Sequence, residues 1–213
     1  MHTDTIYIVG AGGHAKVVID ALLLTGVSGD RIRLTDGNAQ RDGTRVLDWT
    51  VTVPAVRDDM RGASFHVAIG HAGVRAGLHA QLLALGGRPV TIVHPRATVS
   101  SHATLGQGVF VAAHAVVAPS ARVGDGVIVN HGAVVDHDCD VGQFSHVAPA
   151  ATLAGAVRIG EGVLVGAGAR LLPAVQVGDH AVIGAGAVVL ENVPAAQTYI
   201  GVPAVSKRKE KSE

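Results

Sequence analysis

Val129-Asn130-His131-Gly132-Ala133-Val134-Val135-Asp136-His137-Asp138-Cys139-Asp140-Val141 decides the fold. Its aliphatic residues Val129, Val135 and Val141 fall six apart, and small Ala133 and Cys139 follow the first two of them at a distance of four. The same spacing extends in both directions. Val93, Val99, Leu105, Val111, Val117 and Val123 precede it, and Val147, Leu153, Ile159, Val165, Leu171, Val177, Ile183 and Val189 follow, with no break in phase. Small or β-branched residues run in parallel from Ala97, Ala103 and Val109 to Val193. An unbroken period of six over about a hundred residues predicts a parallel β-helix of hexapeptide repeats. Three hexads close one triangular coil, so residues 18 apart should stack, roughly 4.8 Å from one another. The first residue of each hexad should point inward, where its burial contributes roughly 1.5–3 kcal/mol before chain entropy is subtracted.

Composition agrees with that architecture. Apolar residues make up 48% of the 213-residue chain but aromatics only 3%, so the core must be built of thin, repeated aliphatic layers. Glycine is abundant, at 28 residues, as many tight corners require. Lys+Arg and Asp+Glu are balanced at 17 each, which argues against a nucleic-acid partner. A single cysteine precludes an intrachain disulfide. There is no charged start followed by a long apolar run and no membrane-length apolar stretch, so a cytoplasmic protein without membrane contact is expected.

Residues 1–90 do not follow the period of six. Thr5-Ile6-Tyr7-Ile8-Val9 reads as a strand that runs into Gly10-Ala11-Gly12-Gly13-His14. Ala15 to Leu24 has helical spacing, Ile32-Arg33-Leu34-Thr35 and Phe65 to Gly70 read as strands, and residues 73–85 as a second helix. Alternating strands and helices predict a small doubly wound, Rossmann-like α/β unit, too short for two mononucleotide halves. The expected division is a Rossmann-like domain over 1–90, a β-helix over 91–194, and a tail over 195–213 whose charged end, Lys207 to Glu213, should fray.

The chemistry is expected around His137. It is the third residue of its hexad, at an outward corner, and Asp138 beside it could hold one ring nitrogen and leave the other as a general base. A His-Asp pair could equally just solvate a turn. Stacking adds weight, because Gly155, 18 residues on, should lie in the same corner and expose a backbone N–H where a ligand can approach. Gly166-Ala167-Gly168 and Gly184-Ala185-Gly186 are also 18 apart and could form a smooth track for a pantetheine arm, although glycine is common at such corners. His146 lies one and a half faces round from His137, so the two could meet only if solenoids pack side by side. Cys139 takes an inward position and reads as core. His79, His94, His102, His114 and His180 read as surface or corner residues, and no triplet suggests a metal site. In the first domain, glycines at a strand-to-helix turn let phosphate approach a helix N-terminus, a weak signal by itself. Asp36, after the second strand, could meet a ribose or base, or simply make the turn before Gly37.

With these residues assembled, the chain resembles the NeuD/PglD-type sugar O/N-acyltransferases. The resemblance rests on Val9-Gly10-Ala11-Gly12-Gly13-His14-Ala15-Lys16, Val67-Ala68-Ile69-Gly70, Val135-Asp136-His137-Asp138-Cys139, Ser145-His146-Val147-Ala148-Pro149 and Ile200-Gly201-Val202-Pro203-Ala204. It implies a left-handed β-helix behind the Rossmann-like domain, assembled as a homotrimer with sites between subunits. It further implies acetyl transfer from acetyl-CoA to the 4-amino group of a nucleotide-linked 4-amino-4,6-dideoxy sugar. On this resemblance His137 is the base and Asp138 its orienting acid, where some members carry Glu. His146, Gly155, Ala167 and Ala185 are acetyl-CoA contacts, and Gly12, Gly13, His14 and Asp36 sugar-nucleotide contacts. Thr35-Asp36 stands where many members have two acids, and Ile69-Gly70-His71 where many have Ile-Gly-Asn. The alternatives are O-acetylation of a sialic acid or other sugar hydroxyl, and a non-catalytic sugar-nucleotide-binding protein. A nicotinamide dehydrogenase is disfavoured by the small first sheet.

Overall fold

The computed structural model describes residues 5–207. Its first part is a six-stranded sheet built from β1 (Ile6–Val9), β2 (Ile32–Thr35), β3 (Arg45–Val46), β4 (Trp49–Thr52), β5 (Ser64–Val67) and β6 (Arg88–Pro89), in the order β3-β4-β2-β1-β5-β6. Every pairing is parallel except β3 with β4. Helix α1 (Gly13–Leu24) follows β1 and helix α2 (Ala72–Ala84) follows β5. The chain moves outward from β1 to β2 on one side and resumes at β5 on the other. The crevice at the carboxyl ends of β1 and β5 is therefore the topological switch point, where ligands of such sheets bind. The β3–β4 pair and the short β6 escaped the sequence reading, because β3 and β6 have only two residues each and the four of β4 are too few to set a period.

The second part is a triangular parallel β-helix. Its two-residue strands stack at intervals of 18 on three faces: Phe110 on Ile128 on His146 on the first, Val116 on Val134 on Thr152 on the second, Arg122 on Asp140 on Arg158 on the third. From Val111 to Val189 every first-position aliphatic residue is buried, and so are the small residues four further on. The corners show what makes the chain bend. From Gly108 to Gly186 every sixth residue has a positive φ, and eight of these, including His114, Asp138, Phe144 and His180, are not glycine. A left-handed residue costs roughly 1–2 kcal/mol where it carries a Cβ. The inter-coil hydrogen bonds donated at these corners, such as Asp138 N–H to Pro119 O and Ala156 N–H to His137 O, hold them in place.

The two parts share an interface. Outward-facing Ile92, Phe110 and Ile128 of the first face are buried in one cluster with Ala15, Val18 and Ile19 of α1. Behind the last coil, Thr198–Ile200 adds a parallel strand to the first face and Val205–Ser206 pairs back on it. Part of the expected tail is thus sheet; its charged end beyond Lys207 lies outside the described residues. Among the described residues no helix is long and apolar enough to cross a membrane.

Candidate active site

His137 occupies the corner between the second and third faces. The Nδ1 of its ring lies 2.7 Å from Asp138 Oδ2, and its backbone N–H donates to Asp136 Oδ1 at 2.7 Å. A carboxylate only accepts, so Nδ1 carries the proton and Nε2 presents a lone pair. Asp138 sits at a left-handed corner with φ 60°, a conformation an Asp tolerates better than most residues, and its short side chain still reaches the ring. The hydrogen bond to Asp138, followed by the charge of Asp136, raises the His137 pKa above its ordinary value. Gly155 lies directly under the imidazole: a Cβ there would come within 2.5 Å of His137 Cε1 and 2.6 Å of Nε2. Its neighbours Ala154 and Ala156 donate inter-coil hydrogen bonds, whereas the Gly155 N–H has no hydrogen-bond partner among the described residues. Cys139 is buried beneath this corner with its thiol against Ala154 O, and burial pushes its pKa up to about 11, so it is inert core.

A second group of polar side chains lies in the crevice between the domains. His146, on the first face, accepts a hydrogen bond at Nε2 from Asn130 Nδ2 at 3.1 Å; Asn130 Oδ1 is meanwhile committed to the N–H of His131, which fixes the direction of the amide. His14, in the first turn of α1, packs edge-on to Phe110 at 5.3 Å and lies 6.5 Å from the His146 ring. Its Nε2 is buried with no hydrogen-bond partner. Burial, then His66, His146 and Arg75, push the His14 pKa down to about 3; burial, then Arg75, push that of His146 to about 4. Both are neutral at physiological pH. Gly12 and Gly13 face open space, so an approaching ligand meets only backbone there. Asp36 closes the glycine turn by accepting from Ala11 N–H at 2.7 Å and Asn38 N–H at 2.8 Å, with Arg41 binding Ala11 O. Above His146 a cleft of about 390 Å3 opens between Gly70, His71 and Ala72 on one side and Leu164, His180 and Val182 on the other.

Within one chain the structure thus brings together His137, Asp138 and Gly155 at one corner, and Gly12, Gly13, His14 and His146 in the crevice. Ala167 and Ala185 are exposed at a third place, the corner between the first and second faces, where Gly186 N–H donates to Ala167 O. His79, expected at the surface or a corner, is buried away from both, and His94 does stand at a corner but is buried there. His79 is wedged between Phe65 and Phe144 at the domain interface, and His94 Nδ1 accepts from Arg96 N–H. Asn130 and Arg75 were missed by the sequence reading. The position of Asn130, 16 residues before His146 and thus across a first-face corner, was the available signal. Among the described residues no cluster of three or more His, Cys, Asp or Glu side chains is placed to hold a metal.

A bare glycine beneath an acid-oriented histidine on a hexapeptide β-helix defines an acyltransferase class, and comparison with known proteins places the chain within it. Residues 5–82 match the PglD N-terminal domain and residues 156–191 the bacterial transferase hexapeptide (six repeats). PerB from Caulobacter crescentus, solved in complex with CoA and GDP-perosamine, is 36% identical over 96% of this chain and 97% of its own, with a TM-score of 0.89. The acetyltransferase domain of PglB from Neisseria gonorrhoeae FA1090, solved in complex with acetyl coenzyme A, is 34% identical over 96% and 100%, with a TM-score of 0.86. WeeI from Acinetobacter baumannii AYE shares the fold at 23% identity and a TM-score of 0.85. No curated protein matches in sequence. The chain belongs to the NeuD/PglD-type sugar acyltransferase family, with the left-handed β-helix of that family.

Proposed function

We propose that this chain is an acetyl-CoA-dependent N-acetyltransferase acting on the 4-amino group of a nucleotide-linked 4-amino-4,6-dideoxy sugar. The observation that carries the reading is the His137 corner: Nδ1 held by Asp138 at 2.7 Å and Nε2 left free over bare Gly155. The amine nitrogen attacks the thioester carbonyl, and neutral His137 takes the amine proton at Nε2 as the C–N bond forms. The unpartnered N–H of Gly155 stabilises the oxyanion. The C–S bond then breaks, and the CoA sulfur leaves with a proton returned by His137. No acyl-enzyme is required, because Cys139 is buried and protonated.

The crevice receives the sugar nucleotide. Its phosphates approach Gly12 and Gly13 at the start of α1, Asp36 orders that turn, and a polar group of the substrate satisfies the orphaned Nε2 of His14. The complex of PerB with CoA and GDP-perosamine supports a nucleotide-sugar acceptor. His146 and the Ala167–Ala185 strip contact acetyl-CoA. His137 and His146 stand on different sides of one solenoid, so the complete site forms between chains, in a homotrimer. A panel of UDP-, GDP- and dTDP-linked amino sugars, assayed for thiol release from acetyl-CoA, tests the reading. Release with at least one member is expected; release with none, in protein that binds acetyl-CoA, contradicts it.

A further inference from the structure

Arg75 is the largest fully buried side chain among the described residues, 1% exposed, and it sits where the two domains meet. Its guanidinium donates only to backbone carbonyls. Nη1 reaches Ile69 O at 2.7 Å and Gly70 O at 2.8 Å, on the loop after β5. Nε reaches Gly126 O at 2.7 Å, and Nη2 reaches Phe144 O at 2.5 Å and Ser145 O at 3.3 Å, on two successive coils of the β-helix. Among the described residues no carboxylate pairs with it. Burial lowers its pKa to about 10, which still leaves it charged at neutral pH. Buried charges are ordinarily paired, because an unpaired one is expensive. Packing alone would be served better by an apolar side chain.

The carbonyls show what the cation holds. Ser145 O belongs to the peptide unit that leads into His146. Gly70 is the crevice residue opposite it: a Cβ on Gly70 would lie 4.0 Å from His146 Nδ1. Gly10, at the head of the glycine turn, rests on Ile69, whose Cγ1 would be 2.5 Å from a Cβ there. One guanidinium thus registers the glycine turn, the Gly70 loop and the His146 strand against one another. We propose that Arg75 is a positioning residue for the sugar nucleotide: it fixes the domain crevice in register with His146 and leaves a net positive charge behind a site that takes a diphosphate. The inference rests on the sugar-nucleotide reading above and adds the residue that couples the two domains in it.

Calorimetric titration of UDP, GDP and dTDP, and separately of CoA, into wild type, Arg75→Lys and Arg75→Met tests the proposal without requiring turnover. Lysine keeps the charge but cannot bridge five carbonyls; methionine keeps neither. The nucleoside diphosphate that wild type binds should weaken by about 10-fold or more in Arg75→Met and by a smaller factor in Arg75→Lys. CoA should weaken by a smaller factor than the nucleotide, because of the elements that Arg75 registers it touches only the His146 strand. Full wild-type affinity for the nucleotide in folded Arg75→Lys, or equal losses for nucleotide and CoA, overturns the inference, and so does loss of the fold in both variants, which makes Arg75 a purely structural cation. Wild type that binds CoA but none of the three diphosphates sinks the substrate reading itself, a result distinguishable from either.

Discussion

At the scale of single residues the proposed chemistry turns on the His137 corner. A methyl group on Gly155 would occupy the space of the imidazole, 2.5 Å from Cε1, while the backbone there is not left-handed and accepts alanine. Gly155→Ala should therefore leave thermal stability near wild type and lower turnover by about 10–10². Steady-state assay beside a melting curve checks this, and undiminished turnover contradicts the stacked geometry. Asp138 raises the pKa of His137 chiefly by its hydrogen bond. The base must be neutral to accept a proton, so kcat/KM should rise with pH through an apparent pKa above about 6.5. In Asp138→Asn that limb should move to lower pH, because the neutral amide no longer favours the imidazolium, and the maximum should fall; an unmoved limb counts against the pairing. His137, Asp138 and Gly155 were legible in the sequence, because a period of 18 turns linear distance into contact. Asn130 and the orphaned ring of His14 were not, since what they touch is set by how one domain lies on the other.

At the scale of elements, the hexads were legible almost entirely, as one inward aliphatic and one inward small residue per strand dictate both pairing and register. The left-handed corner in the hexads that start from Leu105 to Ile183 was hidden. Glycine marks it at Gly126, Gly132, Gly162, Gly168 and Gly186, but Asp138, Ala156 and His180 hold the same conformation without any signal of type. In the first domain the β1–α1 turn was read correctly, with its glycines facing open space. Gly13→Val should fit without disturbing α1 and should fill the approach to the helix N-terminus. It should raise KM for the sugar nucleotide by about 10-fold or more and leave KM for acetyl-CoA nearly unchanged. Equal effects on both substrates, or none, would argue that no phosphate lies at this turn. The strand at Thr198–Ile200 and its return at Val205–Ser206 were taken for tail, because the six-residue pattern ends at Val193 and a short hairpin carries none of its own.

At the scale of the molecule, the domain interface gathers His14, His66, His79 and His146 around Arg75. Burial is the first cause of a lowered pKa at each histidine; the values reach about 3 at His14 and about 4 at His66 and His146. The sign follows from where the protons go. Above about pH 6.5 the unfolded chain holds no extra protons on these rings and their contribution to stability is complete. As pH falls toward 4 the unfolded chain takes up protons that the folded interface refuses, so stability declines by up to about 1.4 kcal/mol per pH unit for each such ring. Urea unfolding between pH 7.5 and 4.5 should show that decline beginning near pH 6.5; a flat profile would mean that these rings titrate normally in the folded state.

The claim that joins all three scales is that one catalytic centre takes His137 from one chain and His146 from its neighbour. Subunit mixing tests it. His137→Ala and His146→Ala proteins should each fold and each be weak, the former by about 10²–10⁴ in turnover. After co-incubation, with exchange verified by native mass spectrometry, mixed assemblies of the proposed trimer would contain clefts that hold both wild-type histidines. Acetyl transfer, followed as thiol release from acetyl-CoA, should then rise well above the sum of the two parent proteins. No rise in demonstrably mixed trimers, or full activity from a monomer at assay concentration in light scattering, would contradict the shared site.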